Sequence, residues 1–188
     1  MDEAREPGIF GAELAGYRRS WPGEGQSIDE FEALLATGEG IDLFRRERRV
    51  GHFTGSAWLV SADGARVLLT HHRKLNRWLQ LGGHADGDGN LAAVALREAE
   101  EESGLPGLLL EGGVFDLDRH LIPARGNEPA HWHYDVRFVV RATDENFHVS
   151  DESNSLAWKS IAKIAADVSA DESMRRMAMK WLAATTSF

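Results

Sequence analysis

Residues 82–105, GGHADGDGNLAAVALREAEEESGL, decide how the rest of the chain is read. The second half of this stretch sets Arg97, Glu98, Glu101 and Glu102 just before a helix stop. An α-helix advances about 100° per residue. On that wheel Ala92, Ala95, Leu96, Ala99 and Ser103 fall on one side and form a candidate core face. Glu98, Glu101 and Glu102 lie on an adjacent arc at i, i+3 and i+4, so their carboxylates can converge. Like charges on one face repel, and a divalent cation removes that repulsion; hard cations such as Mg²⁺ prefer carboxylate oxygens. Asn90 suits the N-cap, Gly104 the C′ position, and Pro106 blocks continuation. Asp86, Asp88 and Asn90 have the spacing that opens an EF-hand loop. Leu91 and Arg97 stand where that loop needs Gly and Glu, which excludes it.

The stretch resembles the Nudix box, G-x5-E-x7-R-E-U-x-E-E-x-G-U, where U is a bulky apolar residue. Gly83 fits its first position, and Arg97, Glu98, Glu101, Glu102, Gly104 and Leu105 fit its second half in register. Gly89 stands where the pattern has its first Glu, and Ala99 is small for an apolar position. Asp86 and Asp88 lie just upstream and can compensate for Gly89. The resemblance implies an α/β (α+β) fold, an α/β/α sandwich around a mixed sheet. It also implies hydrolysis of a nucleoside diphosphate derivative with Mg²⁺ or Mn²⁺, held by Glu98, Glu101, Glu102 and the carbonyl of Gly82 or Gly83. Two alternatives come from other classes. A Nudix-fold binding or regulatory module without catalysis is motivated by Gly89. An isopentenyl diphosphate isomerase type relies on a cysteine, and this chain has none.

At 188 residues the chain fits one domain with appendages and can bury roughly 70% of its unfolded surface. An apolar share of 43% and six Trp indicate a globular protein. The net charge of −9 argues against non-specific nucleic-acid or anionic-membrane binding, but not against a small polyanion bridged by a metal. The start, MDEAREPGIF, is acidic and has no apolar h-region, so a secretory signal is not expected. No run approaches the ~18 apolar residues of a membrane span. A soluble cytoplasmic protein is expected.

Along the chain, residues 1–50 read as an N-terminal helical extension and 51–188 as the Nudix domain. A short helix is expected around residues 14–19. A capping-box pattern at Ser27 and Glu30 starts another, and residues 41–49 a third that carries Arg45, Arg46, Arg48 and Arg49. The extension can shape the pocket or build a homodimer interface. Residues 56–61 and 66–70 read as a hairpin around Ala62-Asp63-Gly64. A polar loop with Arg73 follows, and residues 78–81 form a short strand entering Gly82-Gly83. Residues 108–110 and 114–122 give one or two strands. Residues 131–140 give the cleanest one: Trp132, Tyr134, Val136, Phe138 and Val140 face the core, while His131, His133, Asp135 and Arg137 face the other way. Such a polar row is costly to bury unpaired, which favours an active-site wall. A last strand covers 155–158. Helices follow, one from Ile161 and one behind a second capping box at Ser169 and Glu172, with Met174, Met177, Ala178, Trp181 and Leu182 as its core stripe.

For the chemistry, Glu98 is the first choice of general base, with Glu128, Asp151 and Glu152 as loop alternatives. Arg97 and Glu101 are an i, i+4 pair, so Arg97 is expected to orient a carboxylate. His131, His133, Arg137, His84 and Arg73 are candidates for contacting a nucleotide-like substrate, and His131 and His133 can alternatively hold a second metal.

Overall fold

The computed structural model describes residues 8–37, 40–72, 77–126, 129–147 and 155–185. Helices α1 (Ile9–Ser20) and α2 (Gly25–Thr37) come first, followed by a 3₁₀ turn over Gly40–Phe44. Strands β1 (Gly51–Val60), β2 (Arg66–His72), β3 (Arg77–Leu79) and β4 (Leu81–His84) precede α3 (Leu91–Ser103). Then come β5 (Leu109–Ile122), β6 (His131–Arg141), β7 (Leu156–Ser160), α4 (Ile161–Ala166) and α5 (Glu172–Thr185).

The seven strands form one sheet in the order β3-β2-β1-β6-β5, with β4 paired to β1 and β7 to β2. β1 and β6 run parallel and the other pairs antiparallel, so the sheet is mixed. Helices lie on both faces, as expected. Alternation along β1 explains how. Phe53, Gly55, Ala57 and Leu59 turn to one face, where they share a core with Val94 and Ala95 of α3 and with Phe10, Leu14, Ile28 and Phe31 of α1 and α2. Gly55 lets α3 come close, because a Cβ there would sit 2.9 Å from the Leu91 carbonyl oxygen and 3.0 Å from a Val94 methyl. Trp58 and Val60 turn to the other face and pack with Val139, Met174, Met177 and Trp181.

Several boundaries differ from the sequence reading. β1 begins at Gly51, not Ser56, and pairs with β2 only near its end, at Val60↔Val67, because β4 takes the same edge further back. β5 is one strand with register shifts around Val114, which bend it without ending it. α2 starts at Gly25, straight out of a 3₁₀ turn at Pro22–Glu24, so Ser27 lies inside the helix and caps nothing. Residues 41–49 are 3₁₀ and turns, not a third helix. Asp171, not Ser169, caps α5: its side chain accepts from the Ser173 N–H at 3.0 Å. Ahead of the sheet, Phe10, Tyr17, Phe31 and Leu43 of the N-terminal helices and turn belong to the same core as the strands. Tyr17 also reaches the α5 side, where Lys180 donates to its hydroxyl at 2.6 Å and to Asp116 at 2.7 Å. No helix among the described residues is long and apolar enough to cross a membrane.

Candidate active site

α3 is bounded as its sequence demands. Asn90 accepts from the Ala93 N–H at 3.1 Å, and Gly104 closes the end in the left-handed conformation. Its acidic arc meets the glycine pair of β4. The Gly82 N–H donates to Glu102 at 2.8 Å. A Cβ at Gly83 would collide with the Glu98 carboxylate, so glycine there is what lets that carboxylate lie against the strand. Glu101 is exposed, whereas Glu98 and Glu102 are half-buried. Among the described residues, the group of three or more metal-ligating side chains whose ligand atoms lie within 4.8 Å of one another is His52, His131 and His133.

Burial raises the Glu98 pKa above the ordinary carboxylate value, Arg97 opposes that rise, and Glu101 and Asp86 add to it as like charges. Arg97 lies 3.5 Å from Glu98 and 3.9 Å from Asp88, and its guanidinium donates to the His84 carbonyl at 3.5 Å. The expected orienting role thus falls on Glu98, while Glu101 is not the carboxylate that Arg97 reaches. Asp88, next to Gly89 in the chain, is thus within reach of Arg97. Asp86 is instead clamped by Arg46 through two hydrogen bonds of 2.6 and 2.7 Å. Of the arginines singled out in residues 41–49, Arg46 thus holds the loop that leads into α3.

A cavity of about 490 Å³ opens beside this corner. Gly82, Gly83, His84 and Glu102 line one side, with Thr54 and Ser56 of β1 beneath. His133, Asp135 and Arg137 of β6 and Asp118 and His120 of β5 line the other. Among the described residues, none of those lining the cavity precedes Thr54.

The polar face of β6 does form a wall, but its members differ in kind. Arg137 is 2% exposed and fully engaged at its head: Nε donates to Asp135 at 2.8 Å, Nη1 to Asp116 at 3.0 Å and Nη2 to Asp118 at 3.1 Å. Burial works against its charge, yet these carboxylates hold its pKa above the ordinary value. Such a cation organises the wall, with its guanidinium held by three carboxylates at the edge of the cavity. Asp135 is held equally firmly, accepting from Thr54 at 3.0 Å, Ser56 at 2.6 Å and Gln80 at 3.1 Å. His133 and His84 line the cavity, whereas His131 lies beside His133 and outside the lining. Arg73, Glu128, Asp151 and Glu152 fall outside the described residues.

Sequence reading missed His52, His120, Thr54, Ser56 and Asp118. For three of them a signal was present: in GHFTGSA, polar His52, Thr54 and Ser56 alternate with Phe53 and Ala57, the period of a strand that is polar on one face. Asp118 and His120 come into place only through the pairing of β5 with β6.

A sandwich around a mixed sheet, with a carboxylate-bearing helix docked on a glycine-rich strand at the mouth of a polar cavity, defines the Nudix class of hydrolase. The Nudix-domain family model matches residues 52–181. This chain belongs to the Nudix family. It is similar to the crystal structure of a NUDIX-family hydrolase from Clostridium perfringens, at 25% identity and a TM-score of 0.57, over 71% of this chain and 97% of that one. Its fold is also that of a MutT protein from Methanosarcina mazei Go1, at 17% identity and a TM-score of 0.54, over 73% and 96% of the two chains. An Ap4A hydrolase from C. elegans shares it at 15% identity and a TM-score of 0.53, over 72% and 98%. A comparison with curated proteins returns no match.

Proposed function

We propose that this chain is a metal-dependent hydrolase that cleaves the pyrophosphate linkage of a nucleoside diphosphate derivative. The observation that carries the reading is the docking of two α3 carboxylates on the glycines of β4: Glu102 on the Gly82 N–H, and Glu98 where a Cβ at Gly83 would intrude. That corner fits Mg²⁺ or Mn²⁺. It offers hard oxygen donors from Glu98, Glu102 and the nearby exposed Glu101, with the backbone carbonyl of Gly82 as the remaining donor. Such an ion, when bound, neutralises phosphate charge and lowers the pKa of its water.

The chain's own residues do the rest. Glu98 is the proposed general base, because burial raises its affinity for a proton and Arg97 beside it fixes its orientation. His84, His120 and His133 give the cavity N–H donors and acceptors for a polyanion, and Asp135 with Arg137 keeps that wall rigid. The placement of Asp88 3.9 Å from Arg97 supports catalysis despite Gly89. We place the catalytic unit in residues 51–188, with residues 1–50 as a helical extension that completes the core. The acidic balance and the absence of cysteine support a cytoplasmic setting, with neither nucleic acid nor membrane as partner and with a homodimer still open to the extension.

The test is Glu98→Gln and Glu102→Gln, assayed for phosphate release from a panel of nucleoside diphosphate derivatives with Mg²⁺ and Mn²⁺. Each is expected to lower turnover by about 100-fold or more with an unchanged circular dichroism spectrum. Wild-type rates in both variants contradict the assignment.

A further inference from the structure

Where β1 and β6 begin, five imidazoles crowd together, more than a carboxylate site requires. The His52 ring lies 4.8 Å from that of His133 and 5.3 Å from that of His131, and His131 and His133 are 5.1 Å apart, all between centroids. His84 and His120 border the group through His133, at 5.1 and 5.5 Å. The parallel register of β1 and β6 sets His52 directly beside His133, and a two-residue step along β6 adds His131 on the same face.

Three observations on these rings point the same way. His52 is wholly buried, yet neither ring nitrogen makes a well-formed hydrogen bond, although the Arg48 backbone lies near enough to favour its charged form. Buried unpartnered polar atoms of this kind call for a water or an ion. Next, the Nδ1 atom of His131 lies 3.0 Å from the Pro129 carbonyl oxygen. A carbonyl only accepts, so Nδ1 carries the proton and the lone pair sits on Nε2. This is the arrangement by which an outer carbonyl fixes the tautomer of a metal-bound histidine. Finally, that Nε2 faces the Nε2 of His133 at 3.2 Å. A tetrahedral ion with metal–nitrogen bonds of about 2.0–2.1 Å separates its ligand atoms by about 3.3 Å. A hydrogen bond between His131 and His133 would account for two rings and leave His52 unexplained. A shared cation accounts for all three.

We propose that His52, His131 and His133 bind a late first-row divalent ion, with Zn²⁺ the chemical type, at a site separate from the α3 carboxylates. Ligand atoms from all three already lie within 4.8 Å of one another, so closure takes side-chain shifts of at most about 1.5 Å. Nitrogen donors suit Zn²⁺ and its neighbours, whereas Mg²⁺ seeks oxygen, so the two sites sort ions by chemistry. Since His133 also lines the cavity, the ion would sit in the wall of the substrate space.

The experiment uses the full chain, stripped with chelator and then freed of it, titrated near neutral pH with Zn²⁺ by calorimetry and with Co²⁺ by visible absorption. One ion per chain is expected, with the intense absorption of tetrahedral Co²⁺ and no competition from Mg²⁺. His131→Ala removes a half-exposed ring and leaves the fold intact, and is expected to weaken Zn²⁺ about 100-fold or more, since losing even an outer-shell partner costs 10–100-fold. His120→Asn, outside the triad, keeps the affinity. The Glu98→Gln/Glu102→Gln double variant also keeps it, which separates this site from the proposed catalytic one. Equal Zn²⁺ uptake by wild type and His131→Ala, or no uptake by either, overturns the proposal and leaves His52 to a buried water. Loss of binding in the glutamate double variant overturns it too, by assigning the ion to α3.

Discussion

One face of the central strands has two halves that differ in everything but backbone. Trp58 and Val60 of β1 and Val139 of β6 pack under α5 in a dry core. A few residues back on the same face, His52, Thr54 and Ser56 oppose His133, Asp135 and Arg137 in the parallel register. The first half is held by apolar burial. The second is held by ion pairs and hydrogen bonds that also form the floor of a cavity. The sheet supplies stiffness to both, and the covering helix decides which half becomes a site. α5 seals the far half with Met174, Met177 and Trp181, and at the near half contributes Arg176 and Lys180 to the Asp116 cluster instead.

Substitutions that break each half test this contrast. Arg137→Ala removes the cation from Asp135 in the interior, while Asp116 keeps Arg176 and Lys180, and is expected to cost about 3 kcal/mol, read by urea denaturation, the low end for losing one partner of a buried ion pair. Trp58→Ala should cost about 3 kcal/mol by the same measurement, the low end for its class, because its unpartnered indole N–H is removed with it. If Arg137→Ala is nearly neutral, the polar half is not a load on folding and the contrast fails.

A third effect is smaller and depends on pH. His52 and His133 titrate at about 4 and about 2 in the folded chain, below the ordinary value near 6.5, because burial disfavours the charged ring. Below pH 6.5 the unfolded chain therefore binds protons that the folded chain refuses. Stability from these rings is complete above pH 6.5 and falls as pH drops toward 4, by roughly 1 kcal/mol per ring per pH unit. Denaturation with chelator present at pH 7 and pH 5 should show the fall, and His133→Asn, which leaves His52 in place, should roughly halve it. A fall of the same size in that variant assigns the acid sensitivity elsewhere. Gly89→Glu should change least. A Cβ there meets the Phe44 ring at no closer than 3.7 Å, an ordinary contact, so the shift in stability is expected under about 0.5 kcal/mol with turnover not reduced.

The legible parts of the molecule were those whose signals are local. The caps of α3, the register of its glutamates and the alternation of β6 lie within runs of a dozen residues. The start of β1 was hidden because Gly51 and Gly55 interrupt an apolar reading, and with it went His52, the most deeply buried histidine among the described residues. Gly55 reads as a strand breaker in sequence and turns out to be the point where α3 approaches. Nothing near Arg137 in sequence announces Asp116 and Asp118, which arrive through the β5–β6 pairing 21 and 19 residues away. The capping boxes at Ser27 and Ser169 misled because a 3₁₀ turn and Asp171 supplied the helix starts instead.

The central claim is that the α3 carboxylates, docked on the β4 glycines, hold the divalent ion that the hydrolysis requires. Anomalous diffraction from crystals grown with Mn²⁺ tests it most directly. The predicted result is a manganese peak within coordinating distance of both Glu98 and Glu102, lost in Glu98→Gln. Manganese found elsewhere, with those two side chains turned away from each other, would contradict it.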